Sequence, residues 1–261
     1  MCATPTFTWR PPGRRGLRGG GSGPPERRKM LKFKEFSKEK ERSIGLSQAG
    51  VCPRSTAYRH RGYPETPHPH LDPVRRLLAL EVGRALHDRV RSLLEGVVEM
   101  EREVALEVAP GLVVKGHIDG LIPDPETGEL RLLEMKTMAP YGFERLVRGG
   151  EVERHYLVQV SLYLEALQEE GVKEALFVAL NKGDGSLHHR ILPYDPGLAQ
   201  EGKENLRLAL TLPPEEVPRA HAPDERGNLP WQCTYCTFWA HCWPEAQPGE
   251  EKGKAILFLP R

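Results

Sequence analysis

Apolar positions along this chain switch repeatedly between a helical and a strand period. Residues 73–96, PVRRLLALEVGRALHDRVRSLLEG, set Leu77, Leu80, Ala85 and Val90 near helical spacing, with Asp72 as cap and Pro73 in the first turn. Residues 101–108 then alternate as EREVALEV, and 112–122 (LVVKGHIDGLI) and 130–137 (LRLLEMKT) read as strands around the turn chemistry of PDPETGE. The helical period returns over 153–169 and ends near Gly171. A buried strand is predicted at 174–181, another at 187–193 after the NKGDGS turn, and a helix at 196–211 before a Pro-rich loop at 213–230. Upstream, 43–60 predicts a short helix carrying Cys52, with Pro53 just after it. Alternating helices and strands predict an α/β or α+β domain.

Composition changes this picture at the N-terminus. Residues 1–30 are so rich in Gly, Pro and Arg that they predict a disordered basic tail, leaving 31–261 as the folded domain. Met30 opens MLKFKEF, so translation from either Met1 or Met30 fits. No apolar run is long enough to cross a bilayer and no secretory segment opens the chain, so a cytoplasmic protein with no membrane partner is expected. The formal charge of +1, taken at face value, argues against a nucleic-acid partner. It hides an asymmetry: residues 1–91 carry 20 basic and 8 acidic side chains, whereas 92–261 carry 17 and 28. A basic first third is the electrostatic footprint of an anionic partner. Arg54, Arg59 and Arg61, with Arg75, Arg76, Arg84, Arg89 and Arg91, are the candidate phosphate contacts.

Chemistry enters on the two strands around PDPETG. Glu134 and Lys136 stand at i and i+2, on one face of a strand. A hairpin folded about that turn sets Asp119 opposite Glu134 across the ladder. Two carboxylates and an ammonium then converge, a donor set suited to Mg²⁺ or Mn²⁺ and to activation of a water. The bland alternative is an acid–lysine pair on a solvated sheet face.

The order Gly116-x-x-Asp119, strand, Glu134-x-Lys136-Thr137 resembles the PD-(D/E)XK nuclease superfamily. Gln159 and Tyr163 stand at i and i+4 on the 153–169 helix and match the Q-x-x-x-Y motif of its RecB-like branch. The resemblance implies a restriction-endonuclease-like α/β core, a central mixed sheet flanked by helices. It implies a metal site of His87, Asp119, Glu134 and the backbone carbonyl of Met135, with Lys136 as catalytic lysine. Gln159 and Tyr163 would position the metal site or the DNA. His117, on the strand face of Asp119, is a further candidate for the same cleft.

Five cysteines, without an export signal, argue against a disulfide framework. Cys233-x2-Cys236-x5-Cys242 puts three thiols in the aromatic-rich run WQCTYCTFWAHCW; Cys52 is the candidate fourth, and Cys2 is left over in the tail. Zinc and a [4Fe–4S] cluster both accept four thiolates. One cysteine before a nuclease core and three after it resembles the iron–sulfur nucleases, the AddB-type domains and the CRISPR-associated exonucleases. The run Gly50-Val51-Cys52-Pro53-Arg54 to Tyr58 resembles the surroundings of their first cysteine. That resemblance implies a structural [4Fe–4S] cluster stapling the N- and C-terminal segments. Trp231 and Tyr235 beside it are expected to pack around the cluster, with base stacking as the other use. The expectation is therefore a metal-dependent exonuclease on single-stranded DNA, with a partner in recombination or CRISPR adaptation. Its rival is a non-catalytic, metal-stapled DNA-binding or scaffold subunit with a relic core.

Overall fold

Strand β5 (Leu130–Met138) is the axis of the molecule: Leu132, Leu133, Glu134 and Met135 are consecutively buried, so both its faces are covered. The computed structural model describes residues 44–260; the basic tail, Cys2 and Met30 lie outside the described residues. β5 sits in a five-stranded mixed sheet of order β1 (Glu99–Met100), β4 (Gly120–Pro123), β5, β6 (Glu174–Asn181), β7 (Leu187–Pro193). β5 and β6 are parallel, and the other neighbours are antiparallel. This matches the expected central mixed sheet with flanking helices.

Two strands, β2 (Glu103–Ala109) and β3 (Leu112–His117), form a separate hairpin. The predicted strand over 112–122 is broken at Ile118–Asp119, where β3 leaves its pairing with β2 and β4 begins pairing with β5. That break frees Asp119 from the ladder.

Helix α1 (Pro53–His60) starts one residue after Cys52, which is its N-cap, so the helix expected over 43–60 is shorter and does not carry Cys52. Proline at N1 is the reason: its fixed φ suits a first turn and its missing N–H costs nothing there. Helix α2 (Pro73–Arg91) starts as expected, with Asp72 accepting from the backbone N–H groups of Val74 and Arg75. Its inward side differs from the expected stripe. Gly83 is buried while Leu80 is 53% exposed, because the helix approaches β5 closely enough that a Cβ on Gly83 would stand 2.9 Å from Thr137 Oγ1.

Helix α3 (Pro140–Gly149) follows β5 and was not anticipated from sequence. Helix α4 (Arg154–Ala166) buries Val158, Val160, Leu162 and Leu164 in the main core with Leu132 and Phe177. Each such side chain stabilises the fold by about 1.5–3 kcal/mol. α5 (Pro196–Thr211) packs on α4 through Gly202, whose missing Cβ admits Leu162 and Val158. The cysteine segment forms two short turns of helix, α6 (Trp231–Thr234) and α7 (Trp239–Cys242). It packs against a small sheet of β8 (Asn228–Leu229), β10 (Lys254–Phe258) and β9 (Gln247–Glu251), with Trp239, Trp243 and Leu257 in a second core. Among the described residues no helix is long and apolar enough to cross a membrane.

Candidate active site

The β4–β5 register pairs Gly120 with Leu133, which carries Asp119 to the level of Glu134, as a hairpin about PDPETG requires. Asp119 sits just beyond the ladder, and its Oδ2 accepts from the backbone N–H of Met135 at 2.7 Å. Its Oδ1 lies 3.2 Å from His87 Nε2 on α2. Glu134 is 1% exposed, and its Oε1 lies 2.5 Å from Lys136 Nζ and 2.7 Å from Gln159 Nε2, which donates to it. His87, Asp119, Glu134, Lys136 and Gln159 are thus linked around one end of the β4–β5 pair, contributed by three elements and the β3–β4 break.

Tyr163 packs behind them. It is buried against Gly116, where an added Cβ would stand 2.7 Å from Tyr163 Cε1, so Gly116 keeps the backbone close to the ring. Burial holds the Tyr163 hydroxyl well above the usual tyrosine range. His117 departs from expectation: its exposed ring lies 3.9 Å from Glu103, on the outer side of the β2–β3 hairpin. Tyr156, not anticipated from sequence, does belong to the site, with Lys136 Nζ 5.5 Å from its ring centroid. Its signal was available, because Tyr156, Gln159 and Tyr163 fall at i, i+3 and i+7 on one face of α4.

The electrostatics follow from burial. Desolvation pushes the Glu134 carboxyl up to about 7, with the neighbouring Asp119 charge adding to it and Lys136 opposing. Burial alone would lower the Lys136 ammonium, but the Glu134 and Asp119 carboxylates outweigh it and hold it above its ordinary value. Hydrogen bonding to Asp119 likewise raises His87 against its own desolvation. A buried carboxyl destabilised by a second acid is the environment a cation relieves, and imidazole with two carboxylates is a hard donor set that fits Mg²⁺ or Mn²⁺. As they stand, among the described residues, no three His, Cys, Asp or Glu side chains are gathered closely enough to hold an ion.

Cys52, Cys233, Cys236 and Cys242 are free thiols lining one cavity of about 1610 Å³. Burial pushes the Cys233 thiol up to about 12, and the charges of Cys242, Cys52 and Cys236 add to the rise. Four such thiols, once deprotonated, are the donor set of zinc or of a [4Fe–4S] cluster. Gly50, two residues before Cys52, lies tight against the start of α4, where a Cβ would come within 2.1 Å of the His155 carbonyl oxygen.

The candidate phosphate contacts divide. Arg54 spends its guanidinium on the carbonyls of Val217 (2.5 Å) and Glu215 (2.8 Å), and Arg61 on that of Ala209 (2.9 Å), so both tie elements together. Arg84 pairs with Glu81 at 2.8 Å and Arg91 with Glu101 at 2.7 Å. Arg59 and Arg76 are exposed and open into the cavity.

A family model described as the PD-(D/E)XK nuclease superfamily matches residues 41–243. The chain belongs to that superfamily. Membership accounts for a mixed sheet whose hairpin presents an Asp and a Glu-x-Lys together. Comparison with curated proteins returns no significant match. Among solved structures, the superfamily chain is similar to SSO0001, at 20% identity and a TM-score of 0.48 over 78% of this chain and 88% of that one. It is also similar to an alkaline exonuclease from Laribacter hongkongensis, at 16% identity and a TM-score of 0.43 over 65% and 86%. The complex of that exonuclease with dAMP gives 16% and 0.41 over 63% and 88%.

Proposed function

We propose that this nuclease-superfamily chain is a metal-dependent deoxyribonuclease, an exonuclease acting on single-stranded ends, that also carries a [4Fe–4S] cluster. The observation that carries the reading is the bonded group of His87, Asp119, Glu134, Lys136 and Gln159. The cysteine spacing and the Gly50–Tyr58 run support a cluster on Cys52, Cys233, Cys236 and Cys242 and a place in recombination, repair or CRISPR adaptation.

His87, Asp119, Glu134 and the Met135 carbonyl would hold Mg²⁺ or Mn²⁺. Such an ion supplies charge neutralisation at a phosphodiester and an acidified water. The chain's own residues prepare the site. Gln159 and Lys136 both bond Oε1 of Glu134, which fixes the carboxylate plane and leaves Oε2 for a cation. The Met135 N–H holds Asp119 in the same way. Lys136, kept protonated by Glu134 and Asp119, orients the attacking water and balances charge on the phosphoryl oxygens.

The test is Mn²⁺-dependent degradation of end-labelled single-stranded DNA by the anaerobically purified chain. Lys136→Ala is expected to lower the rate by about 10²-fold or more while keeping the far-UV spectrum of the folded chain. Wild type that degrades DNA no faster than the variant would sink the reading. The cluster is tested separately: brown protein with about four irons per chain is expected, and colourless protein with stoichiometric zinc overturns it.

A further inference from the structure

Trp231 and Tyr235 do not pack around the cysteines. The packing is done by Phe238, Trp239 and Trp243, which are buried, whereas Trp231 is 59% and Tyr235 53% exposed. The two exposed rings stand at i and i+4 on the cysteine segment, in an edge-to-face pair with centroids 6.3 Å apart. Both line the cavity of about 1610 Å³ that runs from the cysteines to the start of α4. That volume exceeds an ordinary small-molecule pocket, which holds about 300–1,000 Å³, and suits a segment of chain.

The charge of the cavity wall has the right sign for a polyanion. Of its five arginines, Arg145 and Arg154 are matched by Glu153 and Glu201. Among the described residues no carboxylate pairs with Arg59, Arg76 or Arg190. The Arg190 Nε is buried without a hydrogen-bond partner, and its Nη2 occupies the space that a Cβ on Gly150 would fill. Unpaired guanidinium groups beside aromatic faces turned to solvent combine the two elements of single-strand recognition, cations for phosphates and rings for bases.

We propose that this cavity seats a segment of single-stranded DNA, its bases stacked on Trp231 and Tyr235 and its phosphates against Arg59, Arg76 and Arg190. Duplex DNA keeps its base faces stacked on one another and has none to offer these rings. The Asp119 and Glu134 carboxylates and Lys136 do not line this cavity; its wall reaches the start of α4 next to them. His155 on its wall lies with its ring centroid 3.8 Å from that of Tyr156, the ring beneath Lys136. The proposal rests on reading the chain as a deoxyribonuclease, and it adds that single-strand preference is set at Trp231 and Tyr235, away from the carboxylates.

Binding of a fluorescein-labelled oligothymidylate to the full chain is measured by anisotropy in Ca²⁺, without cleavage. Trp231→Ala and Tyr235→Ala are each expected to weaken binding by about fivefold or more, Trp231→Phe to stay within about twofold of wild type, and a duplex of equal length to bind all of them alike. Arg76→Gln, at an exposed position, is expected to lower the slope of log affinity against log salt by about one. Single-strand binding unchanged in both aromatic variants overturns the proposal, as does an equal loss for duplex. Wild type that binds as described yet cleaves no faster than Lys136→Ala would remove the nuclease reading and leave this one standing. Cleavage that depends on Lys136 with no effect of either ring does the reverse.

Discussion

Lys136 is held by two contacts of different kind: the Glu134 carboxylate at 2.5 Å and the face of Tyr156, with the centroid 5.5 Å away. The carboxylate fixes charge, and the ring fixes direction without adding a second anion. A cation over a desolvated aromatic face gains about 0.5–2 kcal/mol. Tyr156→Leu is therefore expected to lower kcat by about tenfold with KM within about twofold. Tyr156→Phe, which keeps the ring and loses only the hydroxyl, is expected to retain near-wild-type kcat; loss in Phe equal to that in Leu would remove the cation–ring argument. A second residue controls the turn that sets the register. Asp124 accepts from the backbone N–H groups of Glu126 (2.7 Å) and Thr127 (3.0 Å) and pairs with Arg131. Those bonds hold its carboxyl below the ordinary aspartate value. A folded pKa below the unfolded one means that the unfolded chain binds more protons on acidification. The stabilisation is thus complete above the unfolded value of about 3.9 and is lost as pH falls through the folded one. The urea midpoint of Asp124→Ala is expected to lie below that of wild type at about pH 7, with the gap closing below about pH 4. A gap that persists into acid would assign the effect to packing.

Among the elements, the β4–β5 hairpin was legible because its turn chemistry and the period-two strands around it leave a single register. The position of Asp119 follows from that register alone. The break that frees Asp119 was not legible, since LVVKGHIDGLI keeps its alternation straight through Ile118 and the split depends on which strand each half pairs with. In the C-terminal β9–β10 hairpin only β9 is polar and without an apolar period; β10 carries the apolar run Ala255–Phe258 with Leu257 buried, a signal that was available. Helix α2 misled in a different way. Its buried side is defined by close approach at Gly83, and its leucines are largely turned to solvent. Gly83 and His87 are one turn apart, so the contact with Thr137 sets how far His87 reaches towards Asp119. A Gly83→Val side chain has no room at 2.9 Å from Thr137 Oγ1 and must move α2 outward. Because much of α2 is exposed, the melting temperature is expected to fall by less than about 5 °C, while Mn²⁺-dependent cleavage falls by about tenfold or more. Activity that tracks the small stability change would show that His87 does not depend on this contact.

At the scale of the whole molecule, α1 and the residues just after it are joined to the cysteine segment by bonds that need no metal. Tyr58 donates its hydroxyl to the His241 carbonyl at 3.2 Å and stacks on Phe238 with centroids 6.0 Å apart. The Thr66 N–H donates to the Thr237 carbonyl at 2.6 Å, and His241 Nε2 lies 2.9 Å from the Pro64 carbonyl oxygen. The proposed cluster would add a second tie through Cys52, Cys233, Cys236 and Cys242, which would lose their protons on binding it. The main core, built on β5, α4 and α5, contains none of the four cysteines. Loss of the proposed cluster should therefore loosen one closure without dissolving the fold. Oxidative removal of the cluster, or Cys236→Ser, is expected to lower the melting temperature by about 5 °C or more and keep the far-UV spectrum of a mixed sheet. Single-strand affinity is expected to fall with it, because Cys52, Cys236, Trp231 and Tyr235 line the same cavity. Collapse of the far-UV signal would place the thiols within the main folding unit. An unchanged melting curve with weakened DNA binding would mean that the metal-free contacts alone close the molecule and that the cluster shapes only the cavity.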